Sequence, residues 1–448
     1  MAAEASSSEL RLAPSTGFQG SNGILRRAAA SPRIDKREHG NRLRGSRPPP
    51  SGKGCQVRFV GIDIAAEKHV VAVVSEAGDV LVKPTTFGED AGGYEKLFGI
   101  LGEPEGALVA MEATGHYWKN VFAALAGRGF QLALLNPLRT HRFAGENLER
   151  TKTDAIDALG IARFAAQKRP AVTRLPDAVT EELRELVRHR DRLVQDFGDR
   201  TRQLHRLVDL GFPELTRYIH TLDSQLATAV LHEYPTAQAF VGLPWKKLAK
   251  YRYDGVHIVG DELAKSIIEA AKVSVGRHHG HAYRIQVQHA CEDMDLLRRR
   301  IKQLDGDIET KLGEHEVGSL LTTIDGVGIQ TAAKLVAELG DPAQFHGPEA
   351  LAAYVGVIPA LRQSGKRSPS RAGLTPIGNA RLRAALWMPT LTAVRRNPWL
   401  KAHYERLRAR GKLPKVALVA CMRKLLHAVY SVAKHRRPFV PELAGGPA

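Results

Sequence analysis

Four acidic residues stand where acids are not expected. Asp63 interrupts the apolar run "VGIDIA", Glu112 ends "ALVAME", and Asp154 and Asp157 lie three apart in "RTKTDAIDALGIARFA". An acid inside so apolar a strand is rare unless it is paired or coordinates a cation. The spacing of Asp154 and Asp157 puts both on one face of a helix. Each of that pair, taken singly, reads as a helix-start acid favoured by the macrodipole. Taken as a set of four, they supply the hard oxygen ligands that two Mg2+ ions need. Two such ions about 3.5–4 Å apart can assist phosphoryl transfer from both sides of a phosphorus atom. Without a cation, four neighbouring carboxylates repel one another.

A second constellation lies near the C-terminus, in "YVGVIPALRQSGKRSPSRAGLTPIGNARLRAALW". A serine hydroxyl is a weak nucleophile until a base or nearby cations favour its alkoxide. Arg362, Lys366 and Arg367 surround Ser364, and Arg371, Arg381 and Arg383 could clamp a phosphate. Ser364, Ser368 and Ser370 as loop serines that only solvate a phosphate-binding arm is the open alternative. Upstream, "LLTTIDGVGIQTAAKLVAELGD" predicts a helical hairpin. The backbone N–H groups at its Gly326 and Gly328 could hold a DNA phosphate, although an ordinary packing corner has the same pattern.

The elements that must position these groups follow from residue pattern. Two β-branched runs, 57–64 and 69–74, and a third at about 80–86 behind the turn "EAGD" predict an antiparallel meander. A helix near 90–101, the strand "ALVAME", a helix from about 116 to 128 and the strand "QLALLN", closed by Pro137, complete a mixed sheet with helices packed on it. From residue 179 the period becomes helical. Leu183, Arg190, Phe197 and Leu204 recur every seven residues, as do Leu186, Leu193, Arg200 and Leu207: a heptad seam broken by two arginines. Met294, Ile301 and Ile308 with Leu297 and Leu304 form a second seam. The two predict either an antiparallel hairpin with 211–275 inserted at its tip or a pairing of two chains. The "HHGH" at 278–281 lacks a carboxylate or cysteine at ligand spacing and reads as a solvated helix start.

Charge points to the partner. The net charge is +18, and residues 361–437 alone hold 19 Lys/Arg against the single acid Glu405. So long and one-sided a run favours nucleic-acid contact. Residues 1–56, rich in Ala, Ser, Gly, Pro and Arg, read as a disordered basic tail; an organelle presequence, interrupted by Asp35 and Glu38, or an over-long start are alternatives. No apolar stretch of transmembrane length is evident. Cys55, Cys291 and Cys421 are too scattered for a disulfide framework or a cysteine zinc site, which fits a reducing cytosol.

The strand "FVGIDIAAEKHVVAVV" with "MEATGHYWKNVFAAL", "LLNPLRTHRFA" and "RTKTDAIDALGIARFA" resembles the RNase H-like (RuvC-like) domain of the DEDD transposases of bacterial insertion sequences. These recombinases are related to Piv-type DNA invertases and guided by a bridge RNA. The resemblance covers most of 57–440 and is weakest in 211–280. It implies an α/β RNase H-like metal domain at 57–178, coiled-coil helices at 179–315, a mainly helical transposase domain with a helix-hairpin-helix at 316–440, and a short tail at 441–448. By the same resemblance Asp63, Glu112, Asp154 and Asp157 are metal ligands, and Ser364 attacks DNA to leave a phosphoserine intermediate. Gly365 and the Gly378, Asn379, Leu382, Arg383 helix match the family's Ser-Gly and Gly-Asn-x-x-Leu-Arg pattern, whereas Pro376 replaces the usual lysine two residues before the Gly-Asn. Mg2+, element-end and target DNA, a guide RNA and a dimer or tetramer are the implied cofactor and partners, and the halves of a composite site could come from different subunits. The competing readings are a junction nuclease that uses water, and a non-catalytic nucleic-acid-binding remnant.

Overall fold

A computed structural model describes residues 57–146, 153–174, 176–359, 373–374 and 377–441. The basic tail and the segment from 360 to 372, which holds Ser364, lie outside them. The chain forms two compact units, one ending at Thr173 and the other beginning at Arg174.

The first unit is built on a five-stranded sheet. Its strands are β1 (Arg58–Asp63), β2 (Lys68–Ser75), β3 (Val80–Gly88), β4 (Ala107–Glu112) and β5 (Gln131–Leu135). Their order is β3-β2-β1-β4-β5, with β1–β2 and β2–β3 antiparallel and β1–β4 and β4–β5 parallel. This is the predicted meander followed by strand-helix-strand units. The helices are α1 (Ala91–Leu101), α2 (Trp118–Gly127), α3 (Pro137–Glu146) and α4 (Asp154–Lys168). Helix α3 has no counterpart among the sequence expectations. Pro137, read as a strand stop, is instead the first residue of a helix, where a missing N–H costs nothing. Asn136 Oδ1 accepts from Leu138 N at 2.9 Å and caps it.

Alternation along the strands sorts two cores. Val60, Ile62, Val109 and Met111 point to one face, packed on Leu97, Leu101, Val121 and Phe122 of α1 and α2. Phe59 and Ala110 point to the other, with Phe143 of α3 and Ile161, Ala162 and Ala165 of α4. The unit is therefore a helix-sheet-helix sandwich.

The second unit is helical. Helices α5 (Ala178–Gly211), α6 (Gln225–Glu233), α7 (Ala237–Phe240), α8 (Trp245–Ala249), α9 (Asp261–Lys272) and α10 (His281–Gly313) make a long pair with an insertion. Leu183 near the start of α5 shares a core with Ile308 and Leu312 near the end of α10, while Leu204 shares one with Val287 and Ala290. The two long helices are thus antiparallel partners within one chain, and the insertion at their tip packs into the same core as Leu204 and Val287 through Phe212, Phe240 and Ile267. At the insertion's exit His278 Nδ1 lies 3.3 Å from Leu210 O and His279 Nε2 lies 2.9 Å from Gly276 O.

The chain continues through α11 (Glu316–Leu321), α12 (Ile329–Leu339), α13 (Pro348–Val355), α14 (Ala380–Ala385), α15 (Trp387–Arg396), α16 (Pro398–Ala409) and α17 (Pro414–His435). Helix α17 has the length and apolarity of a membrane span, contrary to the sequence expectation. It is the central helix of this unit: Leu425, Leu426 and Val429 are fully buried against α11–α14 and the start of α5.

Candidate catalytic site

Parallel pairing of β1 and β4 aligns Ile62 with Met111, so Asp63 and Glu112 are the next pair along, at the same end of adjacent strands. Both lie on the α4 face, because each stands two residues after one of that face, Gly61 and Ala110. Helix α4 runs antiparallel to β1. Its Ala158 packs on Val70 and Ala72, where Val70 is the register partner of Asp63, and its later residues Ala162 and Ala165 pack toward Phe59. The first turn of α4, with Asp154 and Asp157, is therefore at the end of the sheet that Asp63 and Glu112 occupy. Asp154 precedes Ala158 by one turn and so shares its sheet-facing side.

Three residues outside the expected set shape this end of the sheet. A Cβ on Gly61 would meet Ala158 O at 2.2 Å and Ala162 N at 2.3 Å, so only glycine lets α4 lie this close to β1. Thr140 in α3, buried, holds Glu112: its hydroxyl bonds Glu112 Oε1, and Thr114 Oγ1 is 3.5 Å from Oε2. Thr153 caps α4, its hydroxyl accepting from Ile156 N at 3.3 Å, and sets where the Asp154–Asp157 turn begins.

By type the four carboxylates suit a hard divalent cation. Asp63, Glu112 and Asp157 are partly buried and Asp154 is exposed, so the set faces solvent, as an ion that binds a phosphodiester requires. Among the described residues no three or more His, Cys, Asp or Glu side chains already close into an ion-holding cluster. Glu112 is engaged by the hydroxyls of Thr114 and Thr140.

The second constellation hangs from a defined base. Pro359 and Leu374 form an antiparallel bridge, so the chain leaves for the Ser364 segment and returns from it at neighbouring points. Behind that bridge two backbones cross: a Cβ on Gly378 would meet Gly356 Cα at 2.6 Å, and both glycines have positive φ, 130° and 81°. Asn379 donates its backbone N–H to Tyr354 O at 2.9 Å and accepts from Leu382 N at 3.1 Å, capping α14. Its amide Nδ2 is 3.4 Å from Glu338 Oε2. Glu338 also takes a forked pair from Arg188, Nε at 3.0 Å and Nη2 at 3.3 Å, and faces Arg381 at 3.6 Å. Burial opposes its charge, but Arg188, Asn379 and Arg381 outweigh it and hold the carboxyl below its ordinary value. Arg383 reaches Val355 O at 3.3 Å. The Gly-Asn-x-x-Leu-Arg residues thus knit together the base of the serine-bearing segment. Arg362, Ser364, Lys366, Arg367, Arg371 and Pro376 lie outside the described residues.

In the predicted hairpin between α11 and α12, Gly326 has φ 97° and backs onto α15, where a Cβ would meet that of Ala393 at 2.6 Å. Its glycine is accounted for by close packing. Gly328, the first flanking residue of α12, has open space at its Cβ position. Outward-facing cations follow on α15 and α16, including Arg395, Arg396, Lys401, Arg406 and Arg408, with Arg410 just past the end of α16, all exposed. The buried thiols are inert by environment: burial pushes Cys291 up to about 12 and Cys421 up to about 11.

Comparison with known proteins agrees with this geometry. Residues 60–213 match the DEDD IS110 transposase family, and residues 318–405 match the family described as "Transposase IS116/IS110/IS902 family". The insertion element IS116 uncharacterized 44.8 kDa protein of Streptomyces clavuligerus is 27% identical over 86% of this chain and 96% of its own length. The insertion element IS110 uncharacterized 43.6 kDa protein of Streptomyces coelicolor is 24% identical over 84% and 94%. The pilin gene-inverting protein of Moraxella bovis is 25% identical over 73% and 80%. Two family matches in the right order, with relatives aligned along nearly their whole length, settle the assignment: the chain belongs to the IS110 family of insertion-element transposases, enzymes that act on DNA.

Proposed function

We propose that this transposase cuts and rejoins DNA by serine attack, assisted by divalent ions, Mg2+ first among candidates, at Asp63, Glu112, Asp154 and Asp157. The observation that carries the reading is the shared sheet end of Asp63, Glu112 and the first turn of α4. Bound there, a divalent ion supplies positive charge to a phosphodiester oxygen. The protein's own residues do the rest. Asp63 and Glu112 hold fixed positions because strand register ties them, and Asp154 and Asp157 because Gly61 seats α4. In the strand-cutting step the Ser364 hydroxyl gives up its proton, an Oγ–P bond forms, and the scissile P–O bond breaks with departure of a deoxyribose hydroxyl. The phosphoserine link conserves the bond energy, and attack by a new deoxyribose hydroxyl reverses the step.

The basic faces of α15 and α16, the hairpin residues Gly326 and Gly328, and the cations around Ser364 hold phosphates of the DNA and of a structured guide RNA. Asn379, Arg381 and Arg383 take part from the base of that segment. Guide pairing carries sequence choice, and a dimer or tetramer cuts the several strands that recombination needs. The experiment is a denaturing assay for a protein–DNA adduct. The native protein forms one that is lost with Ser364→Ala, while Ser364→Ala still binds DNA. Full recombination by Ser364→Ala would refute serine attack and favour water as the nucleophile.

A further inference from the structure

We propose that His69 is a positioning residue for the carboxylate site, bracing from beneath the sheet the chain segments that follow Asp63 and Glu112. This rests on the reading of Asp63 and Glu112 as ion ligands. His69 is 1% exposed and points away from α4, against the ring of Phe87 with centroids 5.0 Å apart. Its Nδ1 accepts from the backbone N–H of Ala65 at 3.2 Å, two residues past Asp63. Nε2 therefore carries the proton and donates to Glu89 Oε2 at 2.7 Å.

Glu89 is the junction. Its backbone N–H donates to Glu67 O at 3.0 Å, so the loop between β1 and β2 is pinned at both Ala65 and Glu67. Its other carboxylate oxygen accepts from Asn120 Nδ2 at 2.8 Å, and Asn120 sits in α2, the helix that follows Glu112. Burial opposes the charge on Glu89, but the bonds from Asn120 and His69 prevail and keep its carboxyl below the ordinary value. One chain of hydrogen bonds, Ala65–His69–Glu89–Asn120, thus runs from the exit of β1 to the first turn of α2, the helix that follows β4. A buried polar network costs free energy unless every member is satisfied, and an apolar side chain against Phe87 would suffice for packing alone. What the histidine adds is a fixed backbone position beside Asp63. The sequence alone does not reveal this, because a lone histidine opening an apolar strand reads as an ordinary core residue.

Supporting groups around metal ligands typically set affinity by roughly 10–100-fold. The test is Mn2+ binding by calorimetry on the full-length protein, with folding followed by circular dichroism. His69→Leu is expected to lower Mn2+ affinity by roughly tenfold or more. His69→Gln, which restores an acceptor for Ala65 and a donor for Glu89, is expected to recover most of it. Should His69→Leu fail to fold, Glu89→Gln decides, with a several-fold loss expected. A folded His69→Leu or Glu89→Gln protein with native Mn2+ affinity overturns the inference. Native affinity in Asp63→Asn overturns instead the ligand reading on which it rests.

Discussion

The carbonyl oxygen of Ala158 occupies the space where a side chain at Gly61 would begin, 2.2 Å from its Cβ position. A helix and a strand touch backbone to backbone, and that contact carries Asp154 and Asp157 to the strand end that bears Asp63. Gly61→Ala must push α4 off the sheet, because the obstructing atoms are main chain and cannot rotate away. Overpacking of this kind costs about 3 kcal/mol. Thermal unfolding is expected to show that loss, with DNA strand transfer falling further than stability alone explains. A Gly61→Ala protein with native melting and native activity would contradict the seating of α4.

Arg190 and Arg200 interrupt a heptad seam, yet each meets an aspartate on the facing helix: Arg190 to Asp305 at 2.5 Å and Arg200 to Asp293 at 3.0 Å. These pairs fix the register of the antiparallel α5–α10 hairpin. Partly exposed pairs contribute about 1 kcal/mol each at most. Arg190→Asp alone should lower the melting temperature, since it sets two acids face to face, and the double exchange Arg190→Asp with Asp305→Arg should regain most of it. Equal melting of the single and double variants would show that the pair sets no register.

Glu338 makes stability depend on pH in a predictable direction. Its folded pKa lies below the ordinary 4.5, so its contribution is complete above that value and disappears as pH falls through the lower folded value. With a side chain 11% exposed against Arg188 at 36%, the pair stands between an exposed and a buried ion pair. Glu338→Gln should cost about 2 kcal/mol at neutral pH. In urea titrations the gap between native protein and variant should narrow below about pH 4.5. A gap that stays constant down to pH 3 would mean that the charge of Glu338 is not what Arg188 and Asn379 bind.

Much of the first unit was legible because strand residues announce themselves. The β-branched runs around Asp63 and at 69–74 sit within a residue or two of β1 and β2, and "ALVAME" is β4 without revision. Strand order then follows from chirality and short connections. Helix α3 escaped notice because Pro137 stops a strand and starts a helix equally well. The four acids could be named from their types and spacing as candidate ligands, but Gly61 and Thr140, which pack against α4 and Glu112, carry no signal outside three dimensions.

In the second unit the seams at 183–207 and 294–308 were visible, whereas the choice between one chain and two depended on which residues Arg190 and Arg200 meet. Glu338 looks like any glutamate on a helix in "KLVAELGD". Its partners Arg188, Asn379 and Arg381 come from distant parts of the chain. Asn379 and Arg383, read as nucleic-acid contacts, bond Tyr354 and Val355, and Gly378 crosses Gly356, an architectural duty that spacing alone does not disclose.

The central claim, that four carboxylates on one sheet end grip divalent ions, is tested most directly by crystals grown with Mn2+ and measured for anomalous scattering. Density is expected between Asp63 and Glu112 and against the first turn of α4, lost in Asp63→Asn. Anomalous density only elsewhere, or an unchanged peak in Asp63→Asn, would contradict it.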